Sequence, residues 1–342
     1  MYNPPLLTGG YNHTKGDFVE NIILVDWLSF SIKCFDIETD TAYSLGDVVE
    51  LLGLSDFSER FEELSGFYGY RKRLYLGGIN IHYDNLSSRT ILVEMSGSGC
   101  RTFETYSQTD FSFIFQFLYC NSKIVNVTRI DIAYDDFNKL LIKDNLIESI
   151  TSKFYITRFK SIYSEISYTS DDWTLYFGSK KSDVMFRIYD KSAERDVRDK
   201  IPHWLRWEIQ LRDDLATEFL NKVIENNYNI GMIFKGVCHN YIRFCKPTKD
   251  TNKQRWKLAE WYSKFLDNAE KIKIWTKCDV DYNFQRLHNF VQINCGNAID
   301  AYIKIKGLDG LDKAIKSRPT KPNPKYTRLV NEVNEKNNSL VL

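Results

Sequence analysis

No apolar run in this 342-residue chain approaches the roughly 18 to 20 residues that cross a bilayer. The opening MYNPPLLTGGYNHTKGDF also lacks the basic and apolar regions of an export signal. No membrane partner is expected, and a cytoplasmic location is. The seven cysteines are odd in number and without CxxC or other metal-type spacing, as free thiols of a reducing compartment would be. The five histidines are isolated, with no HxH pair, and GxxxxGK[ST], HExxH and GxSxG are all missing. Hydrolytic triads, zinc-type centres and nucleotide-driven motors therefore have no support.

The chain also lacks an excess of either charge, for its net charge is +1. The charges are nonetheless segregated. Between Asp36 and Glu63 nine acidic residues face one basic residue, whereas Arg243 to Lys257 holds six basic residues against Asp250 alone. A second basic run contains Lys316, Arg318, Lys321, Lys325 and Arg328 with no acid. Such patches are solvated loops or places where phosphates are neutralised, and composition alone does not separate the two.

Short runs rich in Val, Ile, Tyr and Phe alternate with helical patterns from about residue 20 to 215, which predicts an α+β fold. Strands are expected at Ile22–Lys33, Arg73–Asp84, Thr90–Gly97, Asn126–Asp136, Lys160–Thr169, Trp173–Ser179, Asp183–Lys191 and Leu205–Arg212, with helices near Ser44–Leu52, Asp110–Leu118 and Leu140–Ser149. This order suits a split-βαβ antiparallel sheet, helices on one face and the other open, and duplicated βαββαβ elements would account for the strand number. No residue-level repeat is visible. Beyond Arg212 the pattern turns helical. Leu258, Trp261, Tyr262 and Phe265 share one helix face, and Gly307 is a natural stop. The expected division is an extension over 1–21, a sheet domain over 22–215, an all-helical region over 216–317 and a basic tail over 318–342.

Three strands carry unusual polar faces. In RIDIAYDD, Ile130 and Ile132 point one way while Arg129, Asp131 and Ala133 point the other. In LRWEIQLR, Trp207, Ile209 and Leu211 oppose Arg206, Glu208, Gln210 and Arg212. In DVMFRIYDK, Tyr189 shares its face with Arg187 and is followed by Lys191. Carboxylates in mid-strand need partners, either arginines across the sheet or a hard cation such as Mg²⁺ or Mn²⁺. A tyrosine ending a strand is either an amphipathic packing residue or, among cations and carboxylates, a hydroxyl suited to phosphoryl transfer. SGSGCR, with Arg101, reads as a glycine turn or a phosphate cradle, and Lys180 and Lys181 lie in a hairpin turn able to grip DNA.

The blocks VDWLSFS, VEMSGSGCRTFE, TRIDIAYDD, LYFGSKKSDVMFRIYDKSAER and RWEIQLR together resemble the replication initiation factor family, over about residues 22 to 215. That family comprises rolling-circle plasmid initiators and MobT-class conjugative relaxases. The resemblance implies nicking of one strand at a replication or transfer origin through a 5′-phosphotyrosyl intermediate, with Mg²⁺ or Mn²⁺. Tyr189 matches the family's tyrosine, with Tyr176 in TLYFGS as rival. Asp131 and Glu208 match its acidic residues, and Asp135 is a weaker third metal candidate. Arg129, Arg187, Lys191, Arg206, Arg101, Lys180 and Lys181 are then candidate phosphate or DNA contacts. Origin DNA is the implied partner, single-stranded at the nick with flanking duplex. A host helicase is the further implied partner, and a homodimer is left open. A non-catalytic origin-binding protein or regulator on the same scaffold is the alternative, and a metal nuclease using water a third reading.

Overall fold

A computed structural model describes residues 21–36, 41–84, 90–166, 172–267 and 295–317, together with 291, 330 and 334. Its first part is built from strand β1 (Ile22–Lys33), a small hairpin β2 (Phe35–Asp36) and β3 (Thr41–Ala42), helix α1 (Leu45–Leu51), strands β4 (Glu62–Ser65), β5 (Lys72–Leu76), β6 (Ile79–Tyr83) and β7 (Thr90–Met95), and helices α2 (Gly97–Tyr106) and α3 (Phe111–Cys120). There follow β8 (Val125–Asp136), α4 (Lys143–Thr151), β9 (Tyr155–Thr157), β10 (Ile162–Ile166), β11 (Trp173–Phe177), β12 (Val184–Asp190), the single-turn α5 (Lys191–Glu194) and β13 (Leu205–Arg212). Helices α6 (Asp213–Glu225) and α7 (Ile230–Tyr241), strand β14 (Ile242–Phe244) and helix α8 (Glu260–Leu266) complete this unit.

Ten strands form one sheet in the order β10-β11-β12-β13-β8-β1-β7-β6-β5-β4, every neighbouring pair antiparallel. Strands β7 and β8 both run antiparallel to β1 between them, so they are parallel to each other. Joined through α2 and α3, they make the expected split βαβ unit. The sheet is also duplicated about its centre. Outward from β1 the order is 1-7-6-5-4, and outward from β8 it is 8-13-12-11-10. Each half is a twelve-residue strand, a helix, a four-strand meander and further helices. The repeating unit is therefore one long strand plus a meander rather than βαββαβ.

Alternation decides which face is buried. Leu28, Phe30, Ile130, Ile132, Trp207 and Ile209 are fully buried. On that side Trp207 stacks on Phe265 of α8 at 4.9 Å, Tyr134 stacks on Phe234 of α7, and α6 lies across β8 and β13. The expected boundary at residue 215 thus falls inside a unit spanning Met1–Trp275, whose core α6, α7 and α8 share with the sheet. Tyr262 and Phe265 are buried as expected and Trp261 packs beside them, but Leu258 precedes α8 and bridges to Cys245.

Three expectations change. Arg73–Asp84 is a hairpin rather than one strand, because Gly77 and Gly78 take φ of 53° and 98° and close a two-residue turn between β5 and β6. The region after 215 is not wholly helical, since β14 pairs with β9. SGSGCR is not a loop turn. It begins α2, with Ser96 as N-cap accepting from the Gly99 amide. Its glycines admit a close approach: a Cβ on Gly99 would stand 2.3 Å from the Gly78 carbonyl oxygen.

A second unit, Thr276–Leu342, contains helix α9 (Gly296–Lys316), which kinks at Gly307 and continues beyond it. Apart from 330 and 334, the basic tail expected over 318–342 lies outside the described residues. In the other basic stretch Lys246, Lys249, Arg255 and Lys257 are exposed.

Candidate functional site

The face opposite the helices is assembled by the register of β11, β12, β13 and β8. Arg187 lies opposite Glu208, which lies opposite Ala133; two residues along each strand, Tyr189 lies opposite Arg206, and Arg206 opposite Asp135. Same-face positions recur every second residue, so both rows present their side chains together.

Tyr189 is 8% exposed, and its hydroxyl donates to Glu208 Oε1 at 2.5 Å. Arg187 binds the other oxygen of Glu208 through Nε, and Lys191 Nζ lies 3.4 Å from the Tyr189 oxygen. The Arg187 and Lys191 cations each stand 5.4 Å from the Tyr189 ring centroid. Burial, then the charge of Glu208, pushes the Tyr189 phenol well up, so it rests as a neutral donor. Burial raises Glu208 too, against the lowering effect of Arg187. A buried carboxylate hydrogen-bonded to a phenol has the geometry that a general base requires.

Arg206 is held rigidly. Nε and Nη2 donate to the two oxygens of Asp135 at 2.6 and 2.7 Å, and Nη1 donates to Asp26 at 3.0 Å. Both Asp135 oxygens are therefore engaged by a guanidinium, which makes Asp135 an anchor for Arg206. Asp131 is similarly engaged by Arg129, at 2.8 and 2.5 Å, and Arg129 lies 4.2 Å over the Trp27 ring. Among the described residues no three His, Cys, Asp or Glu side chains converge as a ready-made cation cage. The donor chemistry still fits a hard cation, since Mg²⁺ commonly takes one or two carboxylates and keeps several waters. Asp131 and Glu208 are diagonal neighbours on one face of adjacent strands. Burial raises both, and the Asp26 charge adds to that rise.

Of the remaining candidates, Tyr176 is a diagonal neighbour of Tyr189 on the next strand. Tyr176, opposite Arg187, donates its hydroxyl to Glu165 at 3.2 Å and stacks on Tyr163 at 4.8 Å. Lys180 and Lys181 are exposed in the β11–β12 turn, Lys180 5.9 Å from the Tyr176 centroid. Arg101 belongs to α2, donates to the Val25 carbonyl at 2.6 Å and pairs with Glu104 at 2.9 Å.

Three acidic residues escaped the sequence reading. Asp26 shares the odd-even parity of the buried Leu28 and Phe30, and alternation assigns it to the apolar face. A register shift between Val25 and Trp27 lets it reach Arg206 instead. Glu104 has a buried oxygen without a hydrogen-bond partner among the described residues, and burial lifts its carboxyl to about 7. Asp136 ties down the following loop by accepting from the Asn138 and Leu141 amides. An aspartate inside VDWLSFS was the available signal for Asp26, parallel to that of Asp131.

Residues 125–315, more than half of the chain, match the model of the replication initiation factor family. The chain belongs to the replication initiation factor family. Residues 22–120 also match the N-terminal domain of rolling-circle replication initiation proteins, so the two family models divide the chain close to the centre of the duplicated sheet. The chain is 27% identical over 296 residues to the Bacillus subtilis (strain 168) protein named "Putative DNA relaxase NicK", with 82% of this chain and 81% of the relative covered. The solved rolling-circle replication initiator protein from Geobacillus stearothermophilus is 31% identical, and the alignment covers 75% of this chain and all of that one, with a TM-score of 0.66.

Proposed function

We propose that this family member nicks and rejoins one DNA strand at an origin, starting rolling-circle replication or conjugative transfer, with Tyr189 as nucleophile. The observation that carries the reading is the 2.5 Å hydrogen bond from the Tyr189 hydroxyl to Glu208, set among Arg187, Arg206 and Lys191. The names of the relatives support the substrate class.

In this reading the Tyr189 oxygen attacks the scissile phosphorus as its proton passes to Glu208. The bond from phosphorus to the 3′ oxygen breaks, leaving a 5′-phosphotyrosyl enzyme and, after protonation, a free 3′-OH. Arg187 and Lys191 stand where they can offset charge on the phenolate and phosphoryl oxygens. Arg206, pinned by Asp135 and Asp26, keeps its guanidinium directed at the same place. Asp131 would hold Mg²⁺ or Mn²⁺, which would polarise the phosphate, and Glu208 would be its second carboxylate only until it accepts the tyrosine proton. Attack by a free hydroxyl end on the phosphotyrosine reverses the step and rejoins the strand. The covalent bond conserves the phosphodiester, so no nucleotide need be hydrolysed.

The test is incubation with labelled single-stranded origin fragments and Mn²⁺ or Mg²⁺, followed by denaturing electrophoresis. A covalent adduct is expected, lost in Tyr189→Phe and kept in Tyr176→Phe. Glu208→Gln should slow its formation by about 10²- to 10⁴-fold, the usual contribution of a positioned base. Cutting without an adduct would replace the tyrosine reading by water attack. An adduct surviving Tyr189→Phe and lost in Tyr176→Phe would reassign the nucleophile.

A further inference from the structure

The row of side chains that holds Glu208 continues past it to the edge of the sheet. Glu208 is opposite Arg187, Arg187 opposite Tyr176, and Tyr176 opposite Tyr163 on the edge strand β10. Neighbouring strands lie about 4.8 Å apart, so Tyr176 is about 10 Å and Tyr163 about 14 Å from Glu208 along this row. The two rings are stacked, with an interplanar angle of 14°. Tyr163 is 37% exposed, and Glu165 accepts the Tyr176 hydroxyl.

Cross-strand aromatic pairs stabilise a ladder whatever the surface does, so stacking alone assigns no ligand. Position does more. The pair shares its row with the cation Arg187, and Lys180 stands over the Tyr176 ring from the β11–β12 turn. Stacking covers one face of each ring and Lys180 lies over Tyr176, so the face the pair offers a ligand is that of Tyr163 on the outermost strand. A flat π face flanked by positive charge is what single-stranded nucleic acid binds, a base on the ring and phosphates on the cations. A duplex, whose bases are already stacked, has no use for the rings.

We propose that Tyr163, backed by the stacked Tyr176, forms a base-stacking platform for single-stranded DNA, holding a base near the scissile phosphate while Arg187 and Lys180 take the backbone. The inference rests on the nicking reading for the identity of its ligand. It gives Tyr176 a role in supporting the substrate-binding ring without making it the nucleophile.

The test measures binding without chemistry. In a Tyr189→Phe background, fluorescein-labelled oligo(dT) and a labelled blunt duplex are titrated by anisotropy across a salt series. Replacing both platform tyrosines by Leu should weaken oligo(dT) binding by roughly 5- to 150-fold for each stacked base. Replacing both by Phe should leave it within about twofold, because the ring and not the hydroxyl is used. The salt slope and the duplex affinity should stay as they were, since no phosphate contact is removed. Leu variants that bind oligo(dT) as the Phe variants do would overturn the platform, as would an equal loss on the duplex. Should the double replacement unfold the edge of the sheet, Tyr163→Ala alone, on the outermost strand, applies the same criterion. Failure of the nicking reading registers elsewhere, as absence of a covalent adduct with the unsubstituted protein, and leaves this comparison intact.

Discussion

At the scale of single residues, burial and not charge type sets the chemistry. Tyr189, Asp131, Glu208 and Arg206 are all nearly inaccessible. Alternation alone placed Tyr189, Arg187, Glu208, Asp131 and Arg206 on one face, and the structure puts them there. It could not rank them, because which carboxylate meets which guanidinium depends on register between strands distant in sequence. Glu208 reads from its strand as a metal candidate, and the structure adds that its two oxygens meet the Tyr189 hydroxyl and the Arg187 guanidinium. Glu104 allows a direct check of burial. Desolvation, reinforced by Asp26 and opposed by Arg101, raises its carboxyl from 4.5 to about 7. The folded protein therefore binds a proton here more tightly than the unfolded chain between those values, and stability through this group falls as pH rises across that window. Glu104→Gln cannot lose that proton. The difference in melting temperature between variant and parent should accordingly move in the variant's favour from pH 5 to pH 8 and be flat below about 4.5. Scanning calorimetry across pH measures it, and a difference independent of pH would show that Glu104 is solvated.

At the scale of elements, the longest strands were the most legible. The expected Ile22–Lys33 agrees with β1 end to end, and the expected Leu205–Arg212 with β13. Twelve or eight residues of β-branched and aromatic alternation leave little to tertiary context. Glycine-rich stretches were misread, for a physical reason. Gly77–Gly78 and Gly97–Gly99 are adjacent in space, the first turning a hairpin and the second letting α2 settle against that turn. A glycine needed for close approach resembles, in sequence, a glycine needed for a flexible loop. Gly99→Ala separates the two. Its methyl group would meet the Gly78 carbonyl at 2.3 Å, and displacing the hairpin should cost about 1–3 kcal/mol by analogy with overpacking. A loop glycine in open space would show no such loss. Ser96→Ala, which removes the cap together with the hydroxyl's bond to the Gly78 carbonyl but introduces no clash, should cost about 1–2 kcal/mol. Urea denaturation of both variants gives the comparison.

At the scale of the whole sheet, the decisive feature is one that no stretch of sequence displays. Two halves without a visible residue-level repeat fold to the same strand order and meet along the β1–β8 pair, the centre of the sheet. Partition of the site follows. Tyr189, Glu208, Arg206, Asp131 and Asp135 come from the second half, while the first supplies Asp26 and the Trp27 ring beneath Arg129. The second half thus holds the proposed nucleophile and base, and the first contacts the guanidinium groups beside them. Separation at residues 121–124, the turn between α3 and β8, would strip one long flank from each central strand and remove the β8 partners of ten residues of β1. An edge of that length and apolarity is an aggregation template. Residues 1–122 or 123–342 expressed alone should be largely insoluble, whereas co-expression should return a soluble 1:1 complex, because re-forming the β1–β8 ladder buries both edges at once. Size-exclusion chromatography of the co-expressed fragments tests this. A monomeric, cooperatively melting first fragment would mean that each half carries a self-sufficient core and that the central ladder joins two finished domains. A complex that also restores the covalent adduct would show that Asp26 can anchor Arg206 across a broken chain, making the central pair and not the connecting turn what positions the site.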